Sequence, residues 1–136
     1  MKARIAVLVV CVGLLSSAVA LVAHHSFTTE YTADKTFSFQ GTVSKVEWTN
    51  PHVRFYVDVV DEVGEVATWN LELASPSALS RNGWTSRTLS VGDEVAVEGY
   101  AAKVAPNMGN VRTVVTADGR SLFAGAADDG APGGGQ

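Results

Sequence analysis

The residues best suited to chemistry in this chain are three histidines, His24, His25 and His52. A histidine at a free amino terminus can chelate one metal ion through its α-amine and its imidazole Nδ1. A second imidazole then completes a set of three nitrogens. Imidazole-rich sites of this kind suit copper, with zinc second. His24 gains a free amine if the residues before it are removed, and Met108 offers a soft thioether as a further ligand. The 12-residue segment His24–Lys35 is long enough to reach His52, because an extended chain covers about 3.3 Å per residue. The plainer reading of the same residues is a polar chain start and a histidine bonded to a turn carbonyl.

The segment before His24 has the form of a secretory signal peptide. Lys2 and Arg4 precede the apolar run Ile5–Leu15, and Ser16-Ser17 leads into Ala-Val-Ala and Leu-Val-Ala at residues 18–23. Small residues ending at Ala23 set the expected cleavage there. Cleavage after Ala20 would leave Leu21 at the terminus and spoil the chelate. An uncleaved anchor is the competing reading, since Ile5–Ala23 is 19 residues interrupted only by two serines. Cys11 lacks the Leu-small-small context of a lipid attachment site. The expectation is an exported protein, periplasmic or secreted, with no membrane span after cleavage.

Removal of residues 1–23 leaves no cysteine, so a disulfide cannot staple the domain and a hydrophobic core must hold it. It also removes two of the ten basic residues, leaving eight against 14 acidic ones. That balance excludes a general basic surface for nucleic acid. The sequence also motivates no enzyme. No serine sits in a nucleophile elbow, no glycine loop cradles phosphate, and Asp58, Asp61 and Glu62 read as a solvated hairpin charge run.

The patterning between residues 36 and 123 predicts strands. Phe37, Phe39 and Val43 share one parity, and Val46 and Trp48 take the other, which calls for a bulge near Ser44–Lys45. Thr49–His52 breaks the chain. Val53–Val59 and Val66–Leu73 alternate about the hairpin loop Asp61–Glu65. Ser75-Pro76 starts a short helix that Gly83 closes. Val95–Ala101 and Val111–Thr116 follow, separated by the loop Pro106–Asn110. This order predicts an all-β fold, a five-stranded OB-like Greek-key barrel with one short helix between its third and fourth strands. A β-sandwich is the alternative, though it would want about seven strands. Residues 24–35 read as an N-terminal arm, and residues 124–136, rich in Gly and Ala, as a disordered tail.

In such a barrel the loops joining strands 1–2 and 4–5 flank the binding face. The candidate ligand-binding residues are therefore Trp48, Asn50, His52, Arg54, Tyr56, Asn107 and Asn110, and the candidate metal ligands are His24, His25, His52 and Met108. Arg54, Tyr56, Thr68, Asn70 and Glu72 should line the outer face between the loops. One cation and one aromatic ring there do not make a nucleic-acid groove. A small ligand or an envelope protein is the expected partner.

Three strings, Ala23-His24-His25-Ser26-Phe27, Val46-Glu47-Trp48-Thr49-Asn50-Pro51-His52 and Gly92-Asp93-Glu94-Val95 with Val97-Glu98-Gly99-Tyr100, together resemble a family of small exported bacterial proteins of unknown function. Asp118-Gly119-Arg120 before Leu122-Phe123 fits the same ending. The resemblance spans nearly all of residues 23–123. It implies export and a small β domain, and brings no activity with it. Both histidine-bearing strings belong to the shared pattern.

Overall fold

The computed structural model describes residues 26–126. The expected leader, His24, His25 and the tail beyond Ala126 lie outside the described residues. A short helix α1 (Ser26–Glu30) runs directly into the long strand β1 (Tyr31–Glu47). Next come β2 (Arg54–Val60), β3 (Val66–Glu72), helix α2 (Pro76–Arg81), β4 (Glu94–Ala102), β5 (Met108–Thr116) and β6 (Ser121–Phe123).

Hydrogen bonding closes five of these strands into a ring. β1 pairs with both β2 and β4, β2 with β3, and β4 with β5, all antiparallel. The ring is completed by a short parallel ladder between β3 and β5, and β6 adds to β5. The all-β, barrel-like fold expected from the strand order is thus present, and the sandwich is not. β1 serves both sides of the ring because it bends. Its register shifts between Val43 and Lys45, where the change of parity calls for a bulge. At Gly41 the strands come so close that an added Cβ would lie 2.5 Å from the Asp58 carbonyl oxygen and from Val57 Cγ1.

The interior is filled by inward-facing residues of the five ring strands: Val43, Phe55, Val57, Leu71, Val97, Val111 and Val114 are all buried. Each such side chain contributes roughly 1.5–3 kcal/mol by leaving water. Phe37, Phe39 and Trp69 pack together against this core, their ring centroids 4.7–5.2 Å apart, and stay partly exposed. Helix α2 begins as its sequence dictates. Ser75 Oγ accepts from the Ala78 N–H, Pro76 occupies the first turn, and Gly83 follows at φ +85°. Its inner side, Ala78 and Leu79, joins the core, and Trp84 Nε1 donates to the Phe123 carbonyl at 2.8 Å.

Three expectations about boundaries need correction. Residues 26–35 of the expected arm are regular structure: Ser26–Glu30 is helical, and the strand begins at Tyr31 rather than Thr36. The loop before β5 ends at Asn107 rather than Asn110, because Met108, Gly109 and Asn110 pair with Asn70, Leu71 and Glu72. That parallel ladder could not be read from either strand alone. Finally, the tail does not begin at Ala124. Ala124 is buried, its N–H donates to the Arg112 carbonyl, and its own carbonyl accepts from Ala74.

Candidate functional site

The β2–β3 ladder sets Arg54 opposite Glu72, Tyr56 opposite Asn70 and Asp58 opposite Thr68. With Phe55, Val57 and Leu71 turned inward, period-two alternation puts this set on the outer face, as expected. Parallel pairing with β5 extends the same face through Met108 and Asn110.

Glu72 is the unexpected member. It faces away from the core, yet its residue is only 6% exposed. The cover is the N-terminal segment. Phe27 and Tyr31 are both buried and pack with Tyr100 and Ala102 on the outside of the barrel. Loop residue Lys103 clasps this segment, its N–H donating to the Glu30 carbonyl at 2.9 Å and its Nζ to the Thr28 carbonyl at 2.5 Å.

A buried carboxylate needs partners. Arg54 Nη2 donates to Glu72 Oε2, while Arg54 Nη1 donates to Asn70 Oδ1 at 3.2 Å. His52 Nδ1 lies 3.1 Å from Glu72 Oε1. The His52 side chain is 41% exposed and that of Glu72 8%, so the pair runs from solvent to interior. Burial pushes the Glu72 pKa up, but the hydrogen bond from His52 and the charges of Arg54 and His52 outweigh it, and the net shift is downward. The His52 pKa is raised, chiefly by the hydrogen bond to Glu72, against a smaller opposing effect of burial. Burial and then the Glu72 charge push the Tyr31 phenol well above its usual range. The Tyr31 hydroxyl is turned to Glu72 without a hydrogen bond of normal geometry, and Asn110 Oδ1 has no hydrogen-bond partner among the described residues.

The remaining candidates divide. His52, Arg54 and Asn110 meet at or beside Glu72. Met108 shares their face through its pairing with Asn70. Tyr56 belongs to a neighbouring surface cluster: its hydroxyl donates to Glu47 Oε2 at 3.3 Å, and Lys45 Nζ stands 5.1 Å from its ring centroid. Asn107 turns the chain at φ +50° and its carbonyl accepts from the Asn70 N–H, a backbone role. Asn50 is exposed and precedes Pro51 through a cis peptide bond. Trp48 lies on the other side of its loop. It borders a cavity of about 10 Å³ with Val46, Val53, Phe55, Leu73 and Trp84, enough for one water at most.

Sequence reasoning placed Glu72 on this face without singling it out, and passed over Tyr31. The available signals were the shared parity of Arg54 and Glu72, and two aromatic residues, Phe27 and Tyr31, in an otherwise polar arm. Among the described residues no three His, Cys, Asp or Glu side chains stand close enough to hold a metal unaided. Any metal here would need ligands from the segment that precedes Ser26.

No curated protein and no solved structure gives a significant match to the chain. A family model described as Family of unknown function (DUF6152) matches residues 10–111, three quarters of the sequence, and the chain belongs to that family.

Proposed function

We propose that this chain is an exported, non-catalytic binding module, and that its ligand is a copper ion taken at the rim where the arm meets the β1–β2 loop. The observation that carries this reading is one shared anchor. The carboxylate that holds His52 lies under the segment that directly follows His24 and His25. Only Ser26 separates His25 from Phe27, whose ring is buried in the same cover. With the leader removed after Ala23, the His24 α-amine and imidazole and the His52 imidazole would supply three nitrogens. His25 and Met108 are further donors. Such a set holds Cu(II) well, and a thioether favours Cu(I). The copper would supply tight, selective binding and a redox-active ion.

Titration of the mature protein with Cu(II) tests this. A one-to-one d–d absorption band that is lost in His52→Ala is the expected result. No tight uptake by a chain with an authentic His24 terminus would overturn the copper reading. The rim would then serve a small organic ligand or an envelope protein, a use favoured by the unpartnered Asn110 Oδ1 beside Glu72.

A further inference from the structure

We infer that Glu72 is the positioning residue of this site, determining which nitrogen of His52 is offered to the metal. The inference rests on the reading of His52 as a ligand and adds a residue to it. A neutral imidazole carries its proton on one nitrogen and its lone pair on the other. Glu72 Oε1, 3.1 Å from Nδ1, accepts that nitrogen's proton in a hydrogen bond, so the lone pair stays on Nε2. A histidine without such a partner favours the opposite form, with the proton on Nε2 and no lone pair there.

The carboxylate cannot easily turn away. Oε2 is engaged by Arg54, and Arg54 is itself anchored on Asn70. Side-chain exposure grades from 8% at Glu72 to 41% at His52, so the nitrogen bonded to Glu72 is held on a buried group while the ring as a whole still reaches solvent. The charged and titratable groups acting on His52 are Glu72, Arg54 and Glu30, and only Glu72 bonds it directly. Metal-binding histidines commonly donate their second N–H to a carboxylate in this way, and losing that partner typically costs 10–100-fold in affinity.

The first measurement needs no metal. Nitrogen-15 NMR of the histidine side chains, in metal-free protein above the imidazole titration range, reports the tautomer of His52. The Nδ1–H form is expected in the native chain, and an Nε2–H form would overturn the inference without any variant having to fold. The second measurement is Cu(II) affinity. Glu72→Ala should switch the tautomer and bind about 10–100-fold more weakly. Glu72→Gln keeps an oxygen that can accept from Nδ1 and should recover most of the loss, which a purely structural role for the charge would not allow. Native affinity in Glu72→Ala, with binding lost in His52→Ala, would overturn the role of Glu72 while leaving copper binding intact. If His52→Ala binds copper normally, His52 is not a ligand and the reading of this rim as the copper site fails, while the tautomer measurement still decides what Glu72 does to the ring.

Discussion

Arg54 stands directly across the β2–β3 ladder from Glu72, and its guanidinium donates to that carboxylate. The pair is lopsided, the arginine side chain 28% exposed and the glutamate 8%. Its main role is therefore to make a buried anion tolerable, since removing one partner of a buried pair costs more than replacing both. Arg54→Met should destabilise the domain by up to about 3 kcal/mol, the lower end of the range for such pairs. Adding Glu72→Met should recover part of that loss. Urea melts of the two variants check this, and a double variant weaker than the single one would refute it.

The pH dependence of the metal-free protein follows from the two shifts at this site. The raised pKa of His52 gives stability that is fully present below its ordinary value of 6.5 and is lost as pH rises through the folded value. The lowered pKa of Glu72 gives stability that is fully present above its ordinary value of 4.5 and is lost as pH falls through the folded value. Both contributions are complete between pH 4.5 and 6.5. Melting temperature measured across pH should fall on the alkaline side of that window, and His52→Gln should flatten the fall.

Tyr31→Phe is expected to leave stability unchanged or to raise it slightly. The ring packs against Phe27 and stays in place, while the hydroxyl removed is buried and turned to Glu72 without a hydrogen bond of normal geometry. Leaving such a group unsatisfied costs roughly 1–3 kcal/mol. A clear drop in melting temperature would mean that the hydroxyl is bonded after all.

Gly41→Ala should destabilise by roughly 1–3 kcal/mol, the usual cost of overpacking, because its Cβ would collide with the Asp58 carbonyl. Gly64→Ala is a useful contrast. Its Cβ would meet nothing within 4 Å, and the cost there comes only from the positive φ of +85°. Chemical denaturation of the two variants separates crowding from backbone conformation.

A chain beginning at Leu21 should bind Cu(II) more weakly than one beginning at His24, because the α-amine is then three residues from the imidazole. Native and denatured intact masses of the exported protein report the terminus and any retained metal together. Equal affinity of the two forms would remove the amine from the ligand set.

Much of this molecule is local in origin. Alternation in β2, β3 and β4, the Ser75-Pro76 start of α2, the face switch near Ser44 and the outward set Arg54, Tyr56, Thr68, Asn70 and Glu72 were all legible. Each depends on residues a few positions apart, where sterics and the period of the strand decide the outcome. The strand order likewise indicated a barrel. What the amino-acid order left undecided was what lies over the outer face. Parity makes Glu72 look like a solvated surface acid, and His52 a turn residue. They become a buried carboxylate and its imidazole partner because α1 and the start of β1, packed on Tyr100 and Ala102 of β4, bring Tyr31 up to Glu72. The parallel β3–β5 ladder also carries Met108 and Asn110 onto the same wall. Those contacts join segments tens of residues apart, and their stability comes from the aromatic cover of Phe27 and Tyr31 excluding water, a cooperative effect that no short stretch of sequence encodes.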